Sequence, residues 1–550
     1  MKQNEVFQLL AFFGLLVALA PLLGAYMARV FDGQPRKLER LIYRLGGVRA
    51  DEEMSWKRYF AAVLLFNVVG IVTLMAIEMT QAWLPFNPQH LPNVPWALAL
   101  NTAISFITNT NWQAYSGENT MSYFTQMAGL AVHNFLSAAT GIAVLLALAR
   151  GLKRASAQSL GSFWVDLTRA TLYVLLPLSL VLSVILVSQG VVQNLAPYRT
   201  VKTLEGAEQV IPGGPAASQV AIKQLGTNGG GFFGQNSAHP FENPTPLSNF
   251  VEMFGLLIVA ASLVYAFGLL VGDKRHAWCL FGVMLVLLVG SFAVAWWAES
   301  QSAGNMEGKE QRFGVMNSVL FAVATTGTSC GAVNAMHDSF TPLAGLMPMW
   351  NMMLGCIAFG GVGAGLYGMM MHVLLTVFIA GLMVGRTPEY LGKKIQAWEA
   401  TWAVVAILIP NFLILIGSAV ACSVATGLAG LNNAGPHGLS EIFYAYASAS
   451  NNNGSAFAGL NVNTYFYNLT LGGAMFLGRF GVILAVLAIA GHLAAKKTVP
   501  ASPGTFPTNG LTFVAVLLGI IVIIGALTFF PALCLGPIVE HGLMQAGRVF

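Results

Sequence analysis

The sequence predicts an all-α polytopic membrane protein with about ten transmembrane helices, in which four parallel membrane–pore–membrane repeats surround a pseudo-fourfold pore. Three observations predict this fold class. Of the 550 residues, 56% are hydrophobic and only 9% are charged, whereas soluble domains carry about 25% charged residues. Ten apolar runs are long enough to cross a bilayer. A unit made of a long run, a short apolar stretch, a polar cluster and a second long run occurs four times.

The ten apolar runs account for most of the chain. A helix needs about 20 apolar residues to cross roughly 30 Å of hydrocarbon. Runs of suitable length lie at 6–30, 59–81, 124–149, 164–188, 248–271, 277–297, 347–384, 400–426, 467–495 and 511–536. The first run is too long for the apolar part of a secretory signal peptide and lacks a small-residue cleavage site, so it is predicted to be a retained span.

The segments between the runs alternate in charge. Lysine and arginine are concentrated in one set, which lies at 36–58, 150–154, 274–275, 386–394 and 496–497. The other set is poor in both residues, and 82–123 contains neither. Cytoplasmic loops of membrane proteins are enriched in lysine and arginine, which accounts for the net charge of +5 without a nucleic-acid partner. The alternation predicts that the basic set is cytoplasmic and that both termini lie outside.

Four of the outside loops contain a short apolar stretch of about 12 residues, too short to span, which is followed at once by a polar cluster. We number these clusters 1 to 4, and they are Thr108-Asn109-Thr110-Asn111, Thr227-Asn228-Gly229-Gly230, Thr328-Ser329-Cys330-Gly331 and Asn451-Asn452-Asn453-Gly454. The pore repeats are predicted at 58–150, 162–272, 276–385 and 399–496, with an extra N-terminal helix at 1–31 and an extra C-terminal helix at 511–536. Because every repeat begins and ends on the cytoplasmic side, the four repeats are parallel and surround an axis along the membrane normal.

The composition of the clusters predicts an ion pore. Non-helical backbone at membrane depth is tolerated only where it is buried in protein or lines a water-filled cavity. Four such segments on one axis form a ring of carbonyls, and carbonyl rings replace the hydration shell of potassium in channel filters. Glycine permits the backbone angles that turn carbonyls toward the axis, and Thr108, Thr227, Thr328 and Asn451 can add side-chain oxygens. A single cluster is equally typical of an ordinary turn, so the prediction depends on the fourfold recurrence.

Five segments resemble one known family. They are SFITNTNWQAYSGENT at 105–120, GTNGGGFFGQNSAHPFENP at 226–244, TTGTSCGAVNAM at 325–336, GRTPEYLGKKI at 385–395 and NNNGSAFAGL at 451–460. They are similar to the potassium-binding A subunits of the Kdp potassium-transporting ATPases, and the resemblance covers nearly the whole chain. It implies membership of the wider superfamily of potassium transporters and a place in a bacterial cell (inner) membrane. It also implies K⁺ as the transported ion, with no cofactor on this chain.

The resemblance implies that the chain selects potassium from the outside and conducts it into the membrane, as the channel-like subunit of a high-affinity uptake complex. The implied partners are KdpB, which is the P-type ATPase subunit that hydrolyses ATP, together with KdpC and the small single-span subunit KdpF. Clusters 1 to 4 fall on the family's selectivity filter, and Gln113 is similar to a position associated with ion affinity. Asn111 stands where the other three clusters have glycine, which implies one different wall of the filter.

The sequence contains no nucleotide-hydrolysis motif that fits its context. It has neither the DKTG phosphorylation motif of P-type ATPases nor a P-loop. The match to GxGxxG at 363–368 lies inside an apolar span and follows no strand, so it does not indicate a dinucleotide site. The chain is therefore predicted not to be an enzyme by its own residues, and a partner must hydrolyse the ATP.

A gate below the filter is predicted from two features. Arg479 lies about a dozen residues into an apolar run, where an arginine usually faces a cavity or a partner. Gly360, Gly361 and Gly363 lie in the long run at 347–384, which we interpret as a broken helix whose carbonyls hydrogen-bond the guanidinium. The alternative is that these glycines only permit close helix packing.

One ion pair is predicted near the cytoplasmic side. Asp166 and Arg169 are three residues apart, so they share one face of a helix.

Two other functions are compatible with parts of the pattern. A stand-alone potassium channel or symporter of the same superfamily, gated by a soluble regulatory ring, would have the same four repeats. The flanking helices and the quoted segments favour the pump subunit over it. A solute symporter with inverted repeats is disfavoured, because the charge pattern makes the four repeats parallel.

Overall fold

The computed structural model describes residues 3–301, 305–383, 385, 388–500 and 505–548. Arg386 of the predicted basic loop lies outside the described residues. The α-helices are α1 (Gln3–Asp32), α2 (Lys37–Leu45), α3 (Trp56–Thr80), α4 (Trp96–Ile107), α5 (Gly117–Thr120), α6 (Val132–Lys153), α7 (Phe163–Arg169), α8 (Leu176–Ser188), α9 (Ala216–Leu225), α10 (Pro246–Val271), α11 (Lys274–Ser300), α12 (Gly314–Gly327), α13 (Pro342–Met353), α14 (Ala364–Met383), α15 (Ala397–Ser423), α16 (Ala425–Leu428), α17 (Gly435–Ser450), α18 (Tyr465–Ala495), α19 (Leu511–Leu533) and α20 (Val539–Gln545).

Short irregular elements complete the described structure. Strands β1 (Arg199–Lys202) and β2 (Glu208–Ile211) form one antiparallel hairpin, and β3 (Glu389–Tyr390) and β4 (Lys393–Lys394) form a second. Turns of π-helix lie at Thr125–Ala131, Ala170–Leu175 and Cys534–Ile538, and turns of 3₁₀-helix at Gln81–Trp83 and Asn236–Ala238. The π-helical turns extend α6 at its start, join α7 to α8 and join α19 to α20, so that each makes one continuous span.

Ten helical stretches in the described part of the chain are long and apolar enough to cross a membrane. This number confirms the predicted all-α polytopic class. The run at 347–384 is divided into α13 and α14 by the non-helical segment 354–363. Within that segment Gly355, Gly360 and Gly363 have φ angles of 90°, 71° and 79°, a region that glycine adopts without steric cost. The break in the helix predicted from the glycines is therefore present.

The order of long helix, short helix, polar cluster and long helix recurs along the chain. The short helices are α4, α9, α12 and α17, and each is followed at once by a cluster. The second long helices of the four units are α6, α10, α14 and α18, and 83%, 72%, 61% and 67% of their most apolar windows are buried. The first long helices of the units, and α1 and α19, are 17–50% buried. The second helices therefore form the centre of the molecule.

Small residues bring the central helices into close contact with each other and with α1. A Cβ placed on Gly151 of α6 would lie 2.5 Å from Ala490 O of α18, and one on Gly24 of α1 would lie 2.5 Å from Ser262 O of α10. Neither position can hold a larger residue without a shift of backbone. Small residues at such contacts are the usual means by which helices associate in lipid, where the hydrophobic effect gives no driving force between them.

The predicted pair of Asp166 with Arg169 is wrong. Asp166 instead accepts two hydrogen bonds from Arg150 of α6, both at 2.6 Å. Arg169 turns to α2 and donates to Glu39 at 3.0 Å. The bidentate fork between Arg150 and Asp166 is a stronger geometry than a pair three residues apart on one helix, and it ties two helices together.

Candidate ion-binding site

Each cluster begins where a short helix ends. The first residue after each short helix still donates its N–H to the carbonyl four residues earlier, as in an α-helix. These residues are Thr108, Gly226, Thr328 and Asn451. Their N–H groups donate to Ile104 O, Ile222 O, Ala324 O and Ala447 O at 2.8–3.2 Å. The negative end of each helix dipole therefore lies at its cluster, where it favours a cation.

Successive residues of the clusters alternate between right-handed and left-handed backbone conformations. In clusters 1, 3 and 4 the second and fourth residues have positive φ, with values of 62° and 54° for Asn109 and Asn111, 56° and 88° for Ser329 and Gly331, and 53° and 92° for Asn452 and Gly454. Alternation between left-handed and right-handed conformations turns successive peptide groups to the same side. Positive φ is uncommon outside glycine and asparagine, and such strained backbone is concentrated at functional sites.

Cluster 2 lies one residue earlier than the sequence predicts. Its positive φ angles fall on Thr227, Gly229 and Gly230, at 47°, 88° and 65°, so the alternating pair is Thr227 and Gly229. The N–H groups of Asn228 and Gly229 both bond Lys223 O, as those of the third and fourth residues of cluster 1 bond Ser105 O. The residues equivalent to 108–111 are therefore 226–229, and Gly230 lies one position beyond them. Sequence reasoning missed Gly226 because Thr227 resembles Thr108 and Thr328, whereas helix α9 ends a residue sooner than that comparison requires.

The four clusters close into a ring in chain order. A Cβ on the fourth residue of a cluster would meet the third carbonyl of the next cluster, at 1.7 Å from Cys330 O for Gly229, 2.2 Å from Asn453 O for Gly331 and 1.7 Å from Thr110 O for Gly454. Asn111, the fourth residue of cluster 1, reaches cluster 2 by donating from Nδ2 to Gly229 O at 3.3 Å. Each wall is thus in contact with the next, and the predicted cluster residues are brought to one place.

Side chains of the second residues also link neighbouring clusters. Asn109 Nδ2 donates to Thr227 O at 3.0 Å, and Ser329 Oγ donates to Asn452 O at 2.8 Å. Asn452 Nδ2 in turn donates to Thr110 Oγ1 at 3.0 Å. These bonds hold the ring in one geometry.

The predicted hydroxyl ligands already have hydrogen-bond partners for their protons. Thr108 Oγ1 donates to Ile104 O and Thr328 Oγ1 donates to Ala324 O, both at 2.8 Å. Thr227 Oγ1 donates to Gly226 O and accepts the N–H of Val362, also at 2.8 Å. A hydroxyl that donates its proton to a carbonyl keeps lone pairs that a cation can use, so these positions remain compatible with ligation.

Three hydroxyls that the sequence analysis did not single out brace the clusters from behind. Ser105 Oγ donates to Trp112 O at 2.9 Å. Thr325 Oγ1 accepts the N–H of Gly331 at 3.0 Å, and Ser448 Oγ accepts the N–H of Gly454 at 2.9 Å. All three lie three residues before the first cluster residue, so aligning the repeats on the ends of their short helices would have found them.

Gln113 lies at the mouth of the ring, near the clusters as predicted. Its Nε2 donates to Gly231 O at 2.9 Å, and its Oε1 accepts the N–H of Gly231 at 2.8 Å. This pair of hydrogen bonds joins repeat 1 to the loop that follows cluster 2. Gln113 also lines a cavity of about 410 Å³ above the ring, together with Asn111, Gly230 and Gly454.

The broken segment 354–363 lies on the other side of the ring. The N–H of Val362 donates to Thr227 Oγ1 at 2.8 Å, and the N–H of Gly360 donates to Gly327 O at 3.0 Å. A Cβ on Gly360 would lie 2.0 Å from Gly365 Cα, and one on Gly363 would lie 2.2 Å from Gly141 O. The segment is therefore packed directly against two clusters and helix α6, and Gly361 borders the cavity beneath.

Arg479 lies in that cavity, which has a volume of about 90 Å³ and is also lined by Ser329, Gly361 and Asn451. Its side chain is buried, with 5% of its surface exposed. The prediction that its guanidinium bonds carbonyls of the broken segment is wrong. Arg479 Nη2 donates instead to Ser137 O of α6 at 3.4 Å. The described residues include no carboxylate within salt-bridge distance of it. The guanidinium thus places an uncompensated positive charge below the ring.

The cavity beneath the ring extends sideways. Besides the ring and Arg479, its lining includes Pro410 and Asn411 of α15 and Ile521 and Gly525 of α19. These two helices are among those with the least buried surface. The space below the ring is therefore bounded on the central side by Arg479 and the broken segment, and it continues between peripheral helices.

Comparison with known proteins gives one consistent result. The model of a family described as potassium-transporting ATPase A subunit matches residues 10–542. A potassium-transporting ATPase potassium-binding subunit of Yersinia pestis is 56% identical over 551 residues, covering 97% of this chain and 98% of the relative. A protein of the same description from Methylorubrum extorquens is 56% identical over 567 residues, covering 100% and 99%.

A solved structure shares the fold. The crystal structure of the potassium transporter TrkH from Vibrio parahaemolyticus matches with a TM-score of 0.53 and covers 88% of this chain and 98% of that chain. The sequences are only 14% identical. The likeness therefore concerns the arrangement of the helices alone.

Proposed function

The chain belongs to the family of potassium-transporting ATPase A subunits, and we propose that it binds potassium at the ring of clusters and conducts it into the membrane for an ATP-driven uptake complex. The observation that carries this proposal is the closure of the ring. Four strained backbone segments meet in chain order. Three fourth residues lie against the third carbonyl of the next cluster, and Asn111 donates to Gly229 O of cluster 2. The filter of this proposal consists of residues 108–111, 226–229, 328–331 and 451–454.

The chemistry of the filter follows from its composition. Carbonyl dipoles replace the water that a potassium ion loses on entry, and the C-terminal ends of four short helices add negative potential. The buried surroundings strengthen both interactions, because charges interact more strongly in a medium of low dielectric constant. The cross-links between Asn109, Ser329, Asn452 and their neighbours oppose collapse of the ring around a smaller ion.

The path of the ion is proposed to turn below the filter. An ion enters from the cavity of about 410 Å³ that Gln113 lines. After the filter it meets Arg479 and the segment 354–363, which obstruct straight passage to the cytoplasm. The sideways extension of the lower cavity toward α15 and α19 offers the alternative exit. A pump requires such an arrangement, because an open filter above an open pore would leak potassium.

The energy is proposed to come from the partners implied by the family, which are KdpB, KdpC and KdpF. We expect the purified chain alone to hydrolyse no ATP, since its sequence has neither a DKTG motif nor a P-loop. Potassium-stimulated hydrolysis should be seen only when the P-type subunit is added. Phosphate release measured for each subunit separately and for the assembled complex provides the test and its controls. Hydrolysis by this chain alone would refute the division of labour.

Potassium uptake into vesicles separates the pump subunit from a stand-alone channel or symporter gated by a soluble ring. The fold does not distinguish them, because TrkH has it as well. Potassium uptake into vesicles that contain this chain without the P-type subunit would favour the second function. Uptake that requires the P-type subunit and ATP would favour the first.

The chain is a multi-pass membrane protein, and we propose that it lies in the bacterial inner membrane with both termini outside. We expect a cysteine replacing Pro35, in the basic segment between α1 and α2, to react with a membrane-impermeant maleimide only from the cytoplasm. A cysteine replacing the exposed His90 should react only from outside. The native cysteines among the described residues are buried or half-buried, so background labelling is low. Labelling of position 35 in intact cells would show that the topology is the reverse of the one proposed.

A further inference from the structure

A buried ion pair lies directly behind the second wall of the filter. Lys223 of α9 and Glu242, in the loop before α10, form a salt bridge with 1% and 0% of their side-chain surfaces exposed. Lys223 Nζ also donates to Gly230 O at 3.1 Å. Glu242 Oε1 accepts the N–H of Phe233 at 2.8 Å. The pair thus holds both the first residue after cluster 2 and the loop that follows it.

The other three repeats have a hydroxyl where repeat 2 has Lys223. The corrected register places Lys223 three residues before Gly226, equivalent to Ser105, Thr325 and Ser448. Ser105 Oγ donates to Trp112 O, and Trp112 is the residue equivalent to Gly230. Lys223 therefore makes the same kind of bond as Ser105, from the same place, but with a longer side chain that carries a charge.

A charge at this position affects the ion as well as the backbone. An ammonium 3.1 Å from a carbonyl at the filter mouth repels an approaching cation, and the repulsion is strong in a buried setting. Glu242 cancels most of that charge. Glu252, which is also fully buried, accepts from Gln224 and Ser237 at 2.7 and 2.6 Å and forms no hydrogen bond with Lys223. Glu242 is thus the counter-ion of Lys223.

We propose that Lys223 and Glu242 act as a charge-balanced positioning pair for the outer end of the filter. Lys223 fixes the carbonyl of Gly230, and Glu242 prevents the lysine from repelling the entering cation. This inference rests on the proposed function, since it assigns the pair a role in potassium affinity. It distinguishes repeat 2 from the other three, in which a neutral hydroxyl does the positioning.

The test compares one unbalanced variant with two neutral ones in the complete complex. Glu242→Gln leaves Lys223 without its counter-ion, and we expect the KM for potassium in ATP-driven uptake to rise about tenfold with little change in kcat. The double variant Lys223→Met with Glu242→Gln is neutral and should recover much of the affinity. Lys223→Ser with Glu242→Gln supplies a hydroxyl as in the other repeats and should recover at least as much.

The outcomes separate the electrostatic role from a structural one. If the pair only supports folding, Glu242→Gln should lower the amount of assembled complex through its unpaired buried charge, while the complex that does assemble keeps the wild-type KM, and that outcome would overturn the proposal. Glu39→Gln is the control. It breaks the buried pair with Arg169, which contacts no residue of the filter, and it should leave the KM for potassium unchanged. If Glu242→Gln fails to assemble, the proposal requires both neutral doubles to assemble with wild-type KM within about threefold. Absence of potassium-stimulated uptake in the wild-type complex would instead refute the proposed function.

Discussion

Replacing Gly229 by aspartate is expected to raise the KM for potassium of the assembled complex by roughly fivefold to 150-fold, because strain of about 1–3 kcal/mol corresponds to such a factor. A Cβ at this position would lie 1.7 Å from Cys330 O, and the φ angle of 88° disfavours any side chain. The third carbonyl of the next cluster must then move. Discrimination against rubidium and ammonium should weaken, which competition uptake assays measure.

Two further variants separate the steric effect of the added Cβ from the effect of the carboxylate charge and from the position of the substitution. Gly229→Ala adds the Cβ without a carboxylate and should retain most of the loss in affinity. Gly230→Asp should be milder than Gly229→Asp, because a Cβ there lies 2.9 Å from Asn111 O and otherwise meets the movable end of Gln113. Gly290→Ala, on α11 where a Cβ meets nothing within 4 Å, is the matched control. Wild-type potassium kinetics in a correctly inserted Gly229→Asp complex would exclude this backbone as the selectivity filter.

Arg479→Gln is expected to make the complex leak or to lower the number of potassium ions transported per ATP. Among the described residues that line the cavity below the filter, Arg479 is the only arginine or lysine. Removing it abolishes the repulsion that a cation meets on leaving the filter, and that repulsion is strong at low dielectric constant. Passive potassium flux from vesicles, and the ratio of uptake to hydrolysis, report the two effects.

The conservative variant and a distant arginine make this test specific. Arg479→Lys keeps the charge but loses the planar fork, so its leak should be smaller than that of Arg479→Gln. Arg169→Gln removes another buried guanidinium, one that bonds Glu39 and Phe31 O, and vesicles should stay tight. Tight, fully coupled Arg479→Gln complexes would show that the arginine is structural and that the obstruction depends on the segment 354–363 alone.

The sequence predicts the fold because few physical constraints determine it. The thickness of the bilayer sets the length of an apolar run, and the distribution of lysine and arginine orients the loops. Two of the short helices, α4 and α12, have a clear signal because they are apolar yet too short to span. Even the break at 354–363 had a local signal, in glycines that leave the helical region of backbone angles.

The details that sequence reasoning missed all depend on contacts between repeats or on where a helix ends. Residue type aligns Thr227 with Thr108, but the last helical hydrogen bond of α9 makes Gly226 the first residue of its cluster. Asp166 was paired with the nearest arginine in sequence, whereas Arg150 approaches from another helix. The partner of Arg479 is a main-chain carbonyl, as predicted, but it belongs to Ser137 of α6 and not to the segment 354–363.

The closure of the ring within one polypeptide has a consequence for how the site can change. In a filter built from four identical chains, one codon change alters all four walls at once. Here a codon change alters one wall, so the free energy of ion binding changes by the contribution of one wall and not of four. Repeat 2 could therefore acquire a lysine behind its wall, and repeat 1 an asparagine at 111, without the same change being imposed on the others. Ion preference can thus be adjusted in small steps while three walls keep the original geometry.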